Sequence, residues 1–357
     1  MKIAIIGTRG MPGIQGGVER HCESLYPRMK DLRICVYRRK PYINEYSNVQ
    51  YPNIKYIDLP STRIKGFEAV LHTFLCSLHI ALFLRPDVVH VHNIGPGMFA
   101  PLLRLFGLKV VLTYHSPNYE HQKWNFLAKK ILKFSEWLSL KFCNGIIFVN
   151  KFQMQKYSAK IRQKSVSIPN GIVKKRLTDS DNYLQRFGIG TGEYILAVGR
   201  LTAEKGFEFL IEAVNKLPQI KQLVIAGACD HGDGYFKRLC DLDIHHKVVF
   251  AGFATGEDLC QLYSHARLFV LSSVNEGFPL VLLEAMNYKL PLLVSDIPAT
   301  RLVALCQDDY FRCGDVDDLT EKLRQKLAQP FIRQTYDLSP YDWDKIAQQT
   351  IAVYKNI

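Results

Sequence analysis

An α/β fold of two parallel-sheet domains is predicted, and three observations predict it. Short β-branched runs alternate with longer helical patterns along all 357 residues. The runs are apolar throughout instead of alternating with polar residues, as in strands buried on both faces by helices. The scheme also occurs twice, on either side of a break near residue 170. At roughly 100–200 residues per domain the length suits two domains, each able to bury its own core.

Taken in order, the first half offers strands at 3–6, 33–37, 88–91, 110–113 and 145–149, with helical patterns at 66–84 and 125–142. The opening run is too short and too strand-like for a signal peptide. The stretch 69–84 is the most apolar, but His72 and His79 interrupt it, so it reads as a core helix and not as a span of about 18 apolar residues. Ser167-Ile168-Pro169-Asn170-Gly171 is turn chemistry, followed by a weakly patterned stretch to about Gly192. The second half repeats the plan with strands at 194–198, 223–226, 248–251, 268–271 and 292–294, and helical patterns at 206–217 and 279–288. Two successive βα arrays make two Rossmann-like domains facing a cleft, with ligands expected at the carboxyl ends of the strands.

Composition narrows the classes. Apolar residues make up 48% and charged residues 22%, the profile of a globular chain and not a disordered one. Nine cysteines lack CxxC spacing, which argues against a zinc module or disulfide framework and suits reduced thiols in a cytosol. The net charge of +13 is uneven: residues 1–170 carry 25 Lys and Arg against 9 Asp and Glu, and the remainder 21 against 24. The basic half implies an anionic partner: nucleic acid, an acidic membrane face or a phosphorylated substrate.

Four turns could carry chemistry. Five glycines fall within the eleven residues from Gly7 to Gly17, bringing backbone N–H groups and a helix start to one place. The spacing is not GxGxxG, and Tyr37-Arg38-Arg39 offers no acid for an adenosine ribose. A nicotinamide dehydrogenase is disfavoured, although Arg on an NADP 2′-phosphate stays open. After strand 194–198, Arg200 and Lys205 bracket a strand-to-helix turn where both could reach one diphosphate, although each alone reads as a solvated charge. Pro279 suits a first helical turn, leaving Glu276 just outside the helix and Glu284 inside it among Leu280, Val281, Leu283 and Met286. A carboxylate there needs a partner, either a ribose diol or a Lys or Arg elsewhere. His90-Val91-His92 puts two imidazoles on one side of a strand end, but no third ligand lies at motif spacing, which favours hydrogen bonding over metal binding. Asp308-Asp309 and Asp317-Asp318 read as exposed loop and helix-cap acids.

The segment from Lys123 and Trp124 through Phe126, Leu127, Lys129, Lys130, Lys133 and Phe134 to Trp137 and Lys141 mixes apolar and cationic residues at helical spacing. Such a helix suits an anionic membrane surface, or is a core helix with lysines in solvent. The regional charge favours the membrane.

Gly16-Gly17-Val18-Glu19, Val198-Gly199-Arg200 with Lys205-Gly206, and Glu276 with seven residues before Glu284 resemble the retaining glycosyltransferases of family 4. Ile6-Gly7-Thr8-Arg9-Gly10 through Gly17 is similar to the rhamnosyltransferase-like subset of bacterial surface polysaccharide synthesis. The resemblance covers nearly the whole chain, including Ile168-Pro169-Asn170-Gly171 and Tyr341-Asp342-Trp343.

The resemblance implies a GT-B fold: a domain at 1–170 facing acceptor and membrane, a nucleotide-sugar donor domain at 171–340, and a helix at 341–357 crossing back to the first. It implies sugar transfer from a UDP-, GDP- or dTDP-sugar to a glycan or lipid-linked acceptor, with retention and without a cofactor or metal. Arg200 and Lys205 would hold and stabilise the departing diphosphate. Glu284 would bind the ribose, and Glu276, with Gly277, Phe278 and Pro279, the donor sugar. Gly16 and Gly17 would pass their backbone close to the diphosphate, and His115 would contact the sugar or phosphate. The loop 226–234 is more acidic than the family's glycine turn. The resemblance and the charge together place the protein in the cytoplasm, peripheral on the inner membrane face. A GT-B sugar-nucleotide epimerase, an NADP-dependent oxidoreductase and a basic nucleic-acid-binding protein are the alternatives. No stacking motif or recognition helix supports the last.

Overall fold

The structure, a computed structural model, describes residues 1–14, 16–62, 64, 67–117, 119, 125–229 and 234–357. It divides into two compact units, Met1–Val173 with Ser339–Ile357, and Lys174–Leu338.

In the first unit, β1 (Lys2–Ile6), β2 (Arg33–Arg39), β3 (Ile54–Leu59), β4 (Val88–His92), β5 (Lys109–Tyr114), β6 (Gly145–Phe148) and β7 (Ser165–Ser167) form one sheet. The order is β3-β2-β1-β4-β5-β6-β7 and each pairing is parallel. The apolar runs have a direct cause: Ile3 and Ile5 enter a core with Cys22 and Leu25 of α1 (Gly17–Leu25). Ala4 and Ile6 enter the opposite core, with Cys76 of α2 (Phe67–His79), Leu103 of α3 (Ala100–Leu105) and Leu140 of α4 (Phe126–Phe142). Asn125 caps α4 by accepting from the Ala128 N–H at 2.9 Å. Two short helices, α5 (Lys151–Gln155) and α6 (Ala159–Gln163), lead to β7.

Sequence reading passes over β3, whose Ile-Lys-Tyr-Ile-Asp-Leu mixes polar and apolar residues because this edge strand is largely half-buried. The core-helix reading of 69–84 also needs correction. Residues Phe67–Leu84 form a continuous helical stretch, long and apolar enough to cross a membrane, of which only 33% is buried.

The second unit opens with α7 (Asn182–Gln185) and builds a parallel sheet in the order β10-β9-β8-β11-β12-β13. Its strands are β8 (Tyr194–Val198), β9 (Gln222–Ala226), β10 (Val248–Gly252), β11 (Leu268–Leu271), β12 (Leu292–Ser295) and β13 (Tyr310–Phe311). The helices are α8 (Phe207–Asn215), α9 (Gly234–Leu242), α10 (Gly256–His265), α11 (Leu280–Asn287) and α12 (Val316–Ala328).

The chain then returns to the first unit as α13 (Trp343–Lys355), capped by Asp342, whose Oδ1 accepts from the Asp344 N–H at 2.8 Å. Trp343, Ile346, Ala347 and Tyr354 join the core that holds Ile3 and Leu25. Gly171 makes room for this: a Cβ there would lie 2.6 Å from the Trp343 ring.

Both sheets reverse strand order beside their first strand, at β1 and β4 in one unit and at β8 and β11 in the other. Parallel sheets bind ligands beyond the carboxyl ends of strands at such switch points, which directs attention to the turns there.

Candidate functional site

In the first unit the turn after β1 runs to Gly16, the N-cap of α1, and Gly17, its first residue. A Cβ on Gly17 would meet nothing within 4 Å, so the backbone there faces open space. Glu19 ties helix to turn by accepting from the Arg9 N–H at 2.9 Å, and its burial raises the carboxyl pKa. Arg38 is committed to Asp58, with Nε–Oδ1 at 2.6 Å and Nη2–Oδ2 at 2.9 Å, and Arg39 faces Glu68. The Arg38 guanidinium already has a bidentate carboxylate partner, which weakens the NADP alternative.

Beside this turn lies a buried row of imidazoles. His92 ends β4, and its Nδ1 is 2.9 Å from Nε2 of His115, the residue after β5. His92 Nε2 is 2.6 Å from the Tyr26 hydroxyl, and His90 lies between the hydroxyls of Tyr354 at 2.5 Å and Thr113 at 2.6 Å. From α1, His21 donates its Nδ1–H to Asn170 Oδ1 at 2.7 Å and packs edge-on to Trp343. Burial pulls the His21 imidazole down to about 4 and His90 to about 3, and holds His92 and His115 well below the ordinary value. The row is therefore neutral at pH 7, so His115 can offer a hydrogen bond but not a positive charge. Each neutral ring has one N–H, so reversing one bond in the row reverses its neighbours.

One nitrogen from each of His21, His92 and His115 falls within a 4.8 Å cluster, the third imidazole that sequence spacing did not supply. These three could hold a cation, but His92 Nδ1 and His115 Nε2 already hydrogen-bond each other. His90 is taken up by hydroxyl partners, in keeping with the hydrogen-bonding reading.

In the second unit, Arg200 follows β8 on an exposed turn, and Lys205 ends a 3₁₀ turn before α8. Lys205 Nζ lies 2.5 Å from Glu276 Oε1, with side chains only 15% and 13% exposed. Ser273 Oγ donates to the same oxygen at 2.7 Å. Two further bonds lock the turns after β8 and β11 together: Ser272 Oγ to Lys205 O at 2.9 Å and the Val274 N–H to Glu204 O at 2.9 Å. Gly206 permits that approach, with φ +59° and a would-be Cβ 2.4 Å from Ser272 O. The structure thus brings together Lys205 and Glu276, which sequence reading assigned to different parts of a ligand.

Pro279 is the N-cap of α11, one position earlier than expected; it and Phe278 are buried and Gly277 half-buried, with Glu276 outside the helix. Glu284, on α11, accepts from the Tyr263 hydroxyl at 3.0 Å, so a phenol from α10 supplies the polar contact that the apolar setting demands. Asp309 pairs with Lys326 and Asp317 with Lys216, while Asp315 is the cap of α12. Asp317 and Asp318 are first-turn acids and not caps. Lys123, Trp124 and the acidic part of the loop 226–234, residues 230–233, lie outside the described residues.

Sequence reasoning missed His21, Asn170, Tyr26, Ser273 and Tyr263 as parts of these clusters. His21 lies four residues after Gly17, one helical turn from the open backbone, which is the signal that could have found it.

Two family profiles divide the chain: "Glycosyltransferase Family 4" matches residues 15–176 and "Glycosyl transferases group 1" residues 192–329. An uncharacterized glycosyltransferase of Methanocaldococcus jannaschii is 27% identical over 99% of this chain and 98% of its own. An alpha-D-kanosaminyltransferase of Streptomyces kanamyceticus is 26% identical over 75% of this chain and 77% of its own. Among solved structures, a sucrose-phosphate synthase of Thermosynechococcus elongatus superposes with a TM-score of 0.83 at 22% identity, covering 99% of this chain and 98% of that one. Anabaena HepE in complex with UDP-glucose superposes at 0.80 and 17% identity over 100% of both chains.

Proposed function

The chain belongs to the family 4 glycosyltransferases of GT-B fold, and from that premise we propose that it moves a sugar from a nucleotide diphosphate sugar, with retention, to a lipid-linked or polysaccharide acceptor in cell-surface polysaccharide synthesis. The observation that carries the reading is the join between the turns after β8 and β11, where Lys205 is held by Glu276, itself steadied by Ser273, beside the Arg200 turn. Breaking a sugar–diphosphate bond builds negative charge on the departing phosphate. Cations already fixed at that point stabilise the transition state more than the ground state. In this reading Arg200 and Lys205 take the diphosphate, so no divalent cation is required on it.

Glu276, with Gly277, Phe278 and Pro279, takes donor-sugar hydroxyls, and Glu284, steadied by Tyr263, takes the ribose diol. Gly16 and Gly17 approach the diphosphate and transferred sugar through their backbone. His115 meets the sugar as a neutral hydrogen-bonding group oriented by His92. The first unit, with its excess of Lys and Arg, faces the acceptor and an anionic membrane, placing the enzyme at the inner face of the cell membrane. The solved neighbours crystallised with UDP or UDP-glucose support a uridine donor first, with GDP and dTDP sugars next.

The test is a screen of UDP, GDP, dTDP, NADP and an oligonucleotide by thermal shift, followed by donor-sugar hydrolysis with and without EDTA. One nucleoside diphosphate should raise the melting temperature, and hydrolysis should survive EDTA. Arg200→Ala and Lys205→Ala should abolish turnover in a folded protein. Stabilisation by NADP alone would overturn the assignment.

A further inference from the structure

The helices on one face of the first sheet bury several polar side chains and leave large apolar ones exposed. In α4 the buried residues are Ser135, Ser139 and Leu140, and the two serine hydroxyls donate to Ile94 O at 2.6 Å and to Ser135 O at 2.6 Å. The same helix leaves Phe126 74%, Leu127 65% and Phe134 57% exposed. In α2 the buried residues are His72, Thr73, Cys76 and Ser77, while Phe74 is exposed and Phe83, in the turn that extends the helix, is 75% exposed. Leu105 at the end of α3 is exposed as well. Half of the exposed large apolar side chains among the described residues, twelve of twenty-four, lie between residues 64 and 137. A helix of a water-facing α/β layer normally carries the opposite polarity.

The three helices form one layer. Leu140, Leu103 and Cys76 enter a common core, and the Phe74 ring lies 5.9 Å from that of Phe99, which immediately precedes α3. The apolar face is also cationic. Helix α4 carries Lys129, Lys130, Lys133 and Lys141 against Glu136 alone, and Glu136 accepts from Tyr114 at 2.5 Å and Tyr157 at 2.7 Å. Lys130 lies 4.4 Å from the Phe126 ring and Lys141 4.7 Å from that of Trp137, so ammonium groups and aromatic rings share one surface.

We propose that the outer faces of α2, α3 and α4 form a single bilayer-docking surface that seats its apolar side chains in the headgroup region of an anionic membrane. Charge argues against a second copy of the chain as the occupant. Two copies apposed on this face would set lysine against lysine, whereas anionic headgroups neutralise the lysines while acyl chains cover the rings. A spanning helix is excluded by the same burial pattern: His72, Thr73, Cys76 and Ser77 hold α2 flat against the sheet. The mode is therefore interfacial. The inference deepens the lipid-linked acceptor reading, since an acceptor that stays in the bilayer requires the enzyme to come to it.

Flotation of the full chain with phosphatidylcholine vesicles, with and without phosphatidylglycerol, tests this at low and high salt. The wild type should float with anionic vesicles at low salt. The surface pair Leu127→Gln/Phe134→Gln should lower partition about tenfold at every salt, and Lys130→Glu/Lys133→Glu should abolish the preference for anionic lipid. Both variants should keep the melting temperature and the nucleotide-induced shift, which separates a failure here from a failure of the glycosyltransferase reading. Undiminished flotation of the apolar variant overturns the proposal. So does a wild type that ignores vesicles, whether it remains monomeric or forms a dimer that the apolar variant dissolves.

Discussion

Replacing Lys205 with methionine removes an ammonium from a carboxylate 2.5 Å away while nearly conserving side-chain length. About one seventh of each side chain reaches solvent, so the pair lies between the exposed and buried limits. Exposed pairs contribute about 0–1 kcal/mol and breaking a buried one costs about 3–5 kcal/mol, which places Lys205→Met near 2–3 kcal/mol. Most of that loss is the Glu276 carboxylate stranded with Ser273 as a remaining donor. Glu276→Gln should cost less, about 1–2 kcal/mol, because the amide oxygen still accepts from Ser273. The double variant Lys205→Met/Glu276→Gln strands no charge and should recover about 1–1.5 kcal/mol relative to the sum of the single changes. Denaturant unfolding of the three variants gives the coupling, and donor hydrolysis is measured alongside. Stability should partly return in the double variant and turnover should not, because a diphosphate still lacks its cation. A coupling near zero, or activity restored with stability, would refute the reasoning.

Three further outcomes follow from the geometry. His21, His72 and His90 are held near 4, 4 and 3 by burial against an ordinary value of 6.5, so the unfolded chain binds more protons than the folded one below pH 6.5. Their contribution is complete above pH 6.5 and is lost as the pH falls towards 4; unfolding midpoints that do not fall between pH 7 and 5, or a slope unchanged by His21→Gln, would contradict this. Gly171→Ala drives a methyl into the Trp343 ring and should cost about 1–3 kcal/mol, a penalty that must shrink when Trp343→Leu makes space. Tyr263→Phe removes the hydroxyl donor to Glu284 and should weaken nucleotide binding about three- to tenfold with at most a small fall in melting temperature. A melting temperature that falls while affinity holds would instead make Tyr263 a packing residue.

The sheets were legible because parallel strands covered on both faces are apolar at every position, as Ile3 to Ile6 show. The turns carrying Arg200, Lys205 and Glu276 were legible for a related reason: ligands in such folds sit beyond strand carboxyl ends, and those residues follow apolar runs directly. What stayed hidden depends on which residues meet. His21 and Asn170 are 149 positions apart and join only because α1 packs near the end of the first unit. Periodicity also says that a helix has two unlike faces without saying which one turns outward. Phe126, Leu127 and Phe134 therefore suit either a core face or a membrane face by spacing alone, and only the burial of Ser135, Ser139 and Leu140 shows that they turn outward.

The return of α13 to the first unit has a consequence for how the protein is made. Trp343, Ile346 and Tyr354 belong to the core that contains Ile3, Cys22 and Tyr26, so the first unit stays unfinished until residues more than 300 positions later have been synthesised. The second unit, whose chain is continuous from Lys174 to Leu338, can close on itself earlier. Vectorial synthesis thus reverses the usual order of domain maturation, leaving the earliest-made segment to wait for the latest. During that wait Ile3, Leu25 and Val36 lack their last covering layer, and this half is where a chaperone would find its substrate.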